Sequence, residues 1–474
     1  MIVLKHDQDS LTVSARLWVG DTPVSICKLT PSRAAVACLW PRQLVMIDFS
    51  LPAKPRVSKT ISLPFAPRRQ LALSGGAKAV VSDAFGGRLA VVDTESGVIE
   101  SVRSVPGHNI GGLVLTADGT QLLLSQQTLA EETPTRADDI RWGNVITNGM
   151  RSLSLDDLMK PDNDLLGHGH LHPLGEFGHG AADPAGVSVI GDKIVVALAG
   201  TGEVAFGPKL RSDWPRLRVG RRPTALASVG SRIFVADTHG DSVSVIDSDK
   251  VEKVAEVSLG PAPELTPAQR GELMFFDARL SIEGWMSCHS CHSDGHANGL
   301  RSDTLGDGSY GAPKRVPTLL GVADTAPWAW NGSMARLEEQ VRQSIQTTMR
   351  GSRPTERQVA DLVAYLRTLT PPPRGAETDG ARRGEAVFQA HGCARCHAPP
   401  TYSTPRTYEV DLEDEMGTRA FNPPSLRGVS HGIAFFHDGR ATSLKEVFTR
   451  FHHQVPANLA PNDVDDLLAF LRTL

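Results

Sequence analysis

Short runs of alternating hydrophobic and polar residues recur through residues 1–260, at a spacing of roughly 40 residues that is typical of repeated β units. In two clear copies, residues 79–93 and 233–247, a strand passes through a polar turn into a second strand that ends in Asp, and a weaker copy covers residues 34–61. Strand pairs at this spacing predict the blades of a β-propeller, of which about five can be counted. Residues 127–181 resemble a long insertion, so six or seven blades are also compatible. A β-sandwich is the alternative fold.

The pattern changes to helical spacing after Gly260. Residues 266–269 and 355–358 are both capping boxes, the signal that opens a helix. Behind the second box, apolar residues recur at helical spacing until Pro371 ends the run. The same apolar stripe returns near the end of the chain, at Val464, Leu467, Leu468, Leu471 and Leu474.

Two Cys-x-x-Cys-His motifs lie in this helical half. Their residues are Cys288, Cys291 and His292, and Cys393, Cys396 and His397. Two cysteines three positions apart can each bond to one porphyrin, and the adjacent histidine then reaches the iron. The competing interpretation is a zinc site made from two Cys-x-x-Cys pairs. Because each pair is followed directly by histidine, the sequence favours two covalently bound haem c groups.

The surroundings of the two motifs indicate an internal duplication. Residues 317–322 (P-T-L-L-G-V) match residues 424–429 (P-S-L-R-G-V). We therefore predict a β-propeller at residues 1–260, a cytochrome c domain with haem 1 at 261–372 and a cytochrome c domain with haem 2 at 373–474. The fold class that follows is multidomain, an N-terminal all-β propeller followed by two tandem all-α cytochrome c domains.

Composition and charge restrict the possible partners and the cellular compartment of the protein. The chain has 474 residues and a formal net charge of −4, which argues against nucleic acid as the main partner. No apolar stretch reaches the roughly 18 residues of a membrane span. The first 20 residues lack the charged start, apolar run and cleavage site of a signal peptide. Because haem c is attached outside the cytoplasm, we expect a periplasmic protein whose signal peptide is missing from this sequence.

Several stretches around the haem motifs carry a family resemblance. They are F-F-D-A-R-L-S at 275–281, W-N-G at 330–332 with L-E-E-Q at 337–340, and F-H-D-G-R at 436–440. With the two motifs, they make residues 264–474 similar to the bacterial di-haem cytochrome c peroxidases and the related MauG-type enzymes. Residues 264–474 make up about 45 % of the chain.

The resemblance implies catalytic roles near haem 1. In the family a Gly-His-Gly element supplies a removable distal ligand, and here residues 306–308 are Gly-Asp-Gly. Asp307 is a poor ligand for haem iron, so haem 1 is expected to have an open face. Gln340 aligns with the distal-pocket glutamine, whose amide can hydrogen-bond peroxide. The family's catalytic glutamate has no acidic counterpart, which leaves Asp307 or Arg315 as substitutes. Trp330 aligns with the tryptophan between the two haems, where an oxidisable ring suits hole transfer.

The resemblance leaves the distal ligand of haem 2 open. The family's methionine position corresponds to Phe451, which cannot bind iron. His452 is the favoured ligand, followed by His453 and then Met416. A histidine would give a low-spin haem of comparatively low potential. Calcium, which the family binds, is in question because the asparagine that helps to form its site corresponds to Arg315.

Two further groups of residues have alternative interpretations. The remaining cysteines, Cys27 and Cys38, form either a disulfide or two small buried core residues. A histidine cluster between residues 168 and 179 suits copper or zinc, or it is a solvated loop. The cluster comprises His168, His170, His172 and His179, with Glu176 among them.

The N-terminal half adds a second resemblance, because residues 223–260 are similar to the YVTN-type repeat, in which a valine-rich strand ends in Ile-Asp. Together the resemblances imply a di-haem oxidoreductase that reacts with hydrogen peroxide at haem 1 and takes electrons through haem 2. Its propeller would dock or present a redox partner protein or a protein substrate. The alternative is a non-catalytic electron-transfer protein with the propeller as a partner-binding module.

Overall fold

The structure, a computed structural model, divides into two compact units. The described residues are 1–7, 10–208 and 214–474. The first unit comprises residues 1–128, 148–174 and 184–259, and the second comprises residues 129–147, 175–183 and 260–474. The unit that carries both haem motifs therefore includes residues 129–147, which lie within the insertion predicted at 127–181, and residues 175–183, which begin within it.

The first unit consists of short β-strands that pair in chain order. A two-stranded ladder, β1 (Ile2–Asp7) and β2 (Ser10–Arg16), comes first. Five four-stranded sheets follow. They are β3 (Pro23–Thr30), β4 (Arg33–Cys38), β5 (Gln43–Asp48) and β6 (Arg56–Ser62); β7 (Pro67–Leu73), β8 (Lys78–Asp83), β9 (Arg88–Asp93) and β10 (Ile99–Ser104); β11 (His108–Leu115), β12 (Gln121–Leu129), β13 (Ile146–Ser154) and β14 (His170–Pro173); β15 (Pro184–Ile190), β16 (Lys193–Leu198), β17 (Glu203–Pro208) and β18 (Arg216–Arg218); and β19 (Pro223–Val229), β20 (Arg232–Asp237), β21 (Ser242–Asp247) and β22 (Glu252–Ser258).

The first strands of consecutive sheets lie next to one another, β3 beside β7, β7 beside β11, β11 beside β15 and β15 beside β19. Apolar side chains fill the space between neighbouring sheets. Val81 and Ala90 of the second sheet pack with Ala35 and Leu44 of the first, and Val80 packs towards the third sheet. Middle strands buried on both faces read as continuous apolar runs, which explains the valine-rich pattern. These sheets are consistent with the predicted propeller-like β domain.

The two cysteines outside the haem motifs lie in separate places of the first sheet. Cys38 is buried and its Sγ lies 3.3 Å from the carbonyl oxygen of Val19, whereas Cys27 is partly buried against another core cluster. Both are free thiols. The structure therefore has them as core residues and not as a disulfide.

The second unit is mainly helical. The α-helices among the described residues are α1 (Ala137–Arg141), α2 (Leu155–Met159, in the first unit), α3 (Pro267–Phe275), α4 (Cys288–Cys291), α5 (Leu337–Gln343), α6 (Glu356–Leu366), α7 (Asp379–Ala390), α8 (Leu444–Thr449) and α9 (Pro461–Leu471). Two short ladders accompany them, β23 (Arg301–Ser302) with β24 (Lys314–Arg315), and β25 (Tyr408–Glu409) with β26 (Ala420–Phe421). No helix among the described residues combines the length and hydropathy needed to cross a membrane.

Two helix pairs in the second unit repeat one packing arrangement, α3 on α6 and α7 on α9. Arg270 holds Asp361 across the first pair at 2.7 and 2.8 Å, and Arg383 holds Asp466 across the second at 2.7 Å for both bonds. A planar guanidinium binds a carboxylate through two bonds, which fixes the crossing of each pair. The duplication is therefore present in the contacts as well as in the sequence.

Each pair also needs a glycine at the crossing point. A Cβ atom on Gly271 would lie 2.0 Å from the carbonyl oxygen of Asp361, and one on Gly384 would lie 1.9 Å from that of Asp466. Backbone cannot yield easily, so α3 and α7 approach their partners only because these positions carry no side chain.

We expect Gly384→Ala to lower the free energy of unfolding by about 1–3 kcal/mol, because the added methyl group overlaps the backbone of α9. Denaturant unfolding of the haem-loaded protein measures the change. Gly380→Ala on the same helix is the control, since the three atoms nearest to its Cβ belong to side chains and lie at 3.1 Å or more, and none is backbone. An equal loss in both variants would contradict the close-packing argument.

Candidate functional site

One cavity of about 540 Å³ in the second unit is lined by both Cys-x-x-Cys-His motifs. Most of its wall is apolar, with side chains from α5, α6, α8 and α9. Cavities lined by apolar groups and a few placed polar groups are the usual form of cofactor sites. The polar groups on the cavity wall decide which cofactor fits.

The first motif begins helix α4, and His292 follows directly after that helix. The Nδ1 atom of His292 lies 2.9 Å from the carbonyl oxygen of Pro317, so it donates to that oxygen and leaves Nε2 for a metal. Burial lowers the pKa of His292 to about 4, which keeps the imidazole neutral. A neutral imidazole with one nitrogen anchored is the form that binds iron.

The second motif has the same arrangement at its histidine. The Nδ1 atom of His397 lies 3.1 Å from the carbonyl oxygen of Tyr402. Burial, with a smaller contribution from nearby His453, lowers the pKa of His397 to about 4. Both motifs thus present two thiols and one oriented imidazole to the same cavity, a donor set that fits haem c.

Gln340 lies on α5 and lines the cavity. Its Nε2 donates to Ser344 Oγ at 3.1 Å, while its Oε1 is buried and has no hydrogen-bond partner within the described part of the chain. A buried polar atom without a partner carries a free-energy cost unless a ligand satisfies it. The amide is therefore available to a molecule in the cavity.

Asp307 also lines the cavity, but it carries a counter-ion that the sequence did not indicate. Its Oδ2 lies 3.2 Å from Lys314 Nζ, and the same ammonium group lies 2.9 Å from Oδ2 of Asp414. Lys314 thus joins the loop at 305–307, in the first helical half of the second unit (residues 260–372), to Asp414 in its second helical half (residues 373–474). The carboxylate of Asp307 is held by this cation and does not extend freely into the cavity.

Trp330 is held between the two helical halves. Its Nε1 donates to the carbonyl oxygen of Arg315 at 2.9 Å, and its ring centroid lies 6.5 Å from that of His437 in edge-to-face geometry. The Arg315 guanidinium lies 5.1 Å from the ring centroid, within the range of a cation–π contact. Trp328 lines the cavity too, but its Nε1 donates within its own half, to Val322 O at 3.2 Å.

Arg315 connects the two helical halves through hydrogen bonds that the sequence did not predict. Its backbone N–H donates to His437 O at 2.6 Å and its Nε donates to Phe436 O at 3.0 Å. Burial lowers the pKa of Arg315 to about 10. Its guanidinium thus contacts a backbone carbonyl of the second half and the face of Trp330. In the resemblance, this position corresponds to the asparagine that helps to form the family's calcium site.

The two candidate histidines for haem 2 differ in position. His453 lines the cavity, and its ring contacts that of Phe436 with centroids 5.4 Å apart. His452 is exposed, has a backbone φ of +46° and does not line the cavity. Met416 is 57 % exposed. The sequence favoured His452 with His453 next, and of these two His453 is the one that lines the cavity.

The histidine cluster does not converge on a metal site. His168 bonds to Asp157 at 3.0 Å, and His172 stacks on Trp214 with ring centroids 4.6 Å apart. Across residues 1–7, 10–208 and 214–474, no three His, Cys, Asp or Glu side chains are grouped to hold a metal ion. This applies equally to the zinc interpretation of the cysteine motifs.

Sequence reasoning missed two buried groups. His437 is 1 % exposed and stacks on Phe421 at 4.2 Å, and neither of its ring nitrogens has a partner among the described residues. Asp183, from the segment 175–183, accepts hydrogen bonds from Ser287 and Ser290, which directly precede Cys288 and Cys291. The sequence carries no signal for Asp183, because it lies more than 100 residues before the motif that it contacts.

Comparisons with known proteins agree with this site. Residues 267–371 match the family model for di-haem cytochrome c peroxidase. The methylamine utilization protein MauG of Methylorubrum extorquens is 24 % identical over 328 residues, 53 % of this chain and 93 % of the relative. The cytochrome c551 peroxidase of Nitrosomonas europaea is 24 % identical over 283 residues, 46 % of this chain and 84 % of the relative. MauG of Methylophilus methylotrophus is 26 % identical over 290 residues, which are 45 % of this chain and 85 % of the relative.

The cavity with two oriented Cys-x-x-Cys-His motifs and the family match define the class of this chain, a peroxidase-like di-haem oxidoreductase. Residues 267–371 are the part of the chain that matches the model of the di-haem cytochrome c peroxidase family, and relatives named MauG are similar to this chain as well.

Proposed function

We propose that this chain reduces hydrogen peroxide at a haem bound to the first motif and receives electrons through a haem bound to the second. The observation that carries the proposal is the cavity that both motifs line, with Gln340 Oε1 and both ring nitrogens of His437 buried on its wall. None of these three atoms has a hydrogen-bond partner among the described residues. A wall of apolar groups with unsatisfied polar atoms fits a large, mostly apolar cofactor with polar edges.

The arrangement of the cavity supports a set of residues that would hold the two haems. Cys288 and Cys291 would attach haem 1 with His292 as its proximal ligand, and the second motif would attach haem 2 with His397. His453 would be the distal ligand of haem 2. An iron that keeps one coordination position open supplies the centre at which peroxide takes up two electrons and two protons to give two water molecules.

The side chains near the first motif would bind and orient the peroxide. Gln340 Oε1 can accept a hydrogen bond from peroxide, and its Nε2 is held by Ser344, so the amide cannot turn away. Lys314 Nζ holds protons between Asp307 and Asp414 at the cavity wall. Lys314 and Asp307, which both line the cavity, are the candidate source of the protons, because general acids act from within hydrogen-bond reach or through one water.

Trp330 would serve the exchange of electrons between the two helical halves. It belongs to the first half, contacts His437 of the second and is fixed by its bond to Arg315 O. A fixed indole has a ring that can be oxidised and little freedom to reorient. The same contacts place the positive charge of Arg315 near the ring, which opposes a long-lived positive charge on Trp330.

The cellular setting is part of the proposal. Attachment of haem c occurs outside the cytoplasm, so we place the protein in the periplasm. The β unit is the candidate docking site for a redox partner protein or a protein substrate, since its five sheets carry neither of the haem motifs.

We expect Asp307→His to convert haem 1 from high spin to six-coordinate low spin, because an imidazole on this cavity-lining loop can reach a vacant iron position. Electron paramagnetic resonance of the oxidised variant measures the change, and peroxide reactivity should fall with it. Asp307→Asn is the matched control, since it also breaks the pair with Lys314 but introduces no ligand. A high-spin Asp307→His variant would place this loop away from the iron.

A further inference from the structure

The carboxylate of Asp183 is hydrogen-bonded to Ser287 and Ser290, the residues directly before the two cysteines of the first motif. Oδ2 accepts from Ser287 Oγ at 2.5 Å and Oδ1 accepts from Ser290 Oγ at 2.6 Å. All three residues are buried, with Asp183 6 % exposed. Ser290 Oγ also accepts the backbone N–H of Ser287 at 2.9 Å. Asp183 therefore fixes the first turn of helix α4, in which Cys288 and Cys291 lie.

The segment that carries Asp183 is itself anchored to the chain just before the motif. The backbone N–H groups of Gly180 and Ala182 donate to the carbonyl oxygens of Glu283 and Gly284, at 2.8 and 3.3 Å. Asp183 has a backbone φ of +55°, a left-handed conformation that costs free energy for a residue with a side chain. Such a conformation persists only where the surrounding contacts impose it, as the four bonds do here.

The second motif has a different electrostatic surrounding. Its cysteines are flanked by Gly392, which has a φ of +67°, and by the exposed Arg395, whose charge lowers the pKa of Cys393 against the larger effect of burial. At the first motif, by contrast, the nearby charge is the carboxylate of Asp183. Burial raises the pKa of Cys288 and Cys291, and this negative charge raises it further. The two haem sites thus differ in the sign of the charge beside their cysteines.

We infer that Asp183 is a positioning residue for haem 1: it fixes the helix that carries Cys288 and Cys291, and its negative charge lowers the reduction potential of the haem attached there. The inference rests on the proposed haem 1 site. Its physical basis is that a buried negative charge stabilises the oxidised iron over the reduced iron by Coulomb attraction, in a medium that screens less than water. The donors Ser287 and Ser290 are neutral hydroxyls, so they orient the charge without cancelling it.

The test is redox potentiometry of the complete protein with both haems followed by their separate optical or resonance signals. Asp183→Asn keeps the shape and removes the charge. We expect the haem 1 equilibrium to shift towards the reduced form by about tenfold or more, equivalent to about 59 mV for a one-electron couple, with haem 2 unchanged. Ser290→Ala, which removes one bond and keeps the charge, should produce no upward shift. Asp138→Asn, which removes the same charge from a carboxylate that is 86 % exposed, is the control and should move neither haem, because water and salt screen an exposed charge.

The outcomes separate this inference from the proposed function. If Asp183→Asn binds two haems and leaves the haem 1 potential unchanged, or moves both potentials equally, the inference is wrong. If the variant loses haem at Cys288 and Cys291 but keeps it at Cys393 and Cys396, found by peptide mass mapping, the positioning role is supported. Equal loss at both motifs would overturn that role. If the unmodified protein carries no haem at the first motif, the proposed function itself fails.

Discussion

Replacing His453 with alanine is expected to convert haem 2 from low spin to high spin while haem 1 keeps its spectrum. His453 lines the cavity that holds His397, and it is close enough to lower the pKa of that imidazole. Loss of the second strong-field ligand leaves an iron with one protein ligand, which changes spin state completely. Electron paramagnetic resonance and the optical spectrum of the oxidised protein measure the conversion.

His452→Ala is the matched control, because it removes the neighbouring imidazole from an exposed position. We expect this variant to keep a low-spin haem 2. If His452→Ala caused the conversion and His453→Ala did not, the backbone between residues 449 and 455 would have to differ from the one described here. If neither variant changed haem 2, the distal ligand would lie elsewhere.

Replacing Trp330 with phenylalanine is expected to slow turnover with peroxide and an electron donor by roughly tenfold, equal to about 1.4 kcal/mol in the barrier. The reason is that phenylalanine keeps the aromatic contact with His437 but is much harder to oxidise, and it loses the bond to Arg315 O. The spin states of both haems should stay as they are, since Trp330 binds neither iron. Single-turnover kinetics that follow the oxidation of reduced haem 2 by peroxide measure the effect.

Trp328→Phe is the control for this variant. Trp328 also lines the cavity, but its indole donates to Val322 O within the first helical half. We expect its turnover to stay near that of the unmodified protein. Equal rates for all three proteins would mean that electrons reach haem 1 without Trp330, and the role assigned to that residue would be withdrawn.

The sequence predicts the parts of this protein that follow from local pattern. The strand pairs at regular spacing, the capping boxes at Thr266 and Thr355 and the helix stripe before Pro371 all appear as β-sheets and helices. Local signals of this kind are set by backbone propensity and by which face of an element is buried, so they can be read from neighbouring residues.

The sequence could not settle features that depend on distant contacts. Helix α8 ends at Thr449, so helical spacing no longer tells which of His452 and His453 faces the cavity. The positive φ of His452 then sets the direction of each side chain. The ion pair of Asp307 with Lys314 and the bonds of Asp183 likewise join segments that share no periodic pattern. Such contacts form only when the chain is folded, and no spacing rule identifies them.

The central claim is that one haem has a free coordination position and the other has two protein ligands. Electron paramagnetic resonance of the fully oxidised protein, with a haem count, tests it most directly. The account predicts two haems per chain and two signals of equal weight, one high spin from haem 1 and one low spin from haem 2. Two low-spin signals would contradict it, because peroxide would then have no iron position to occupy.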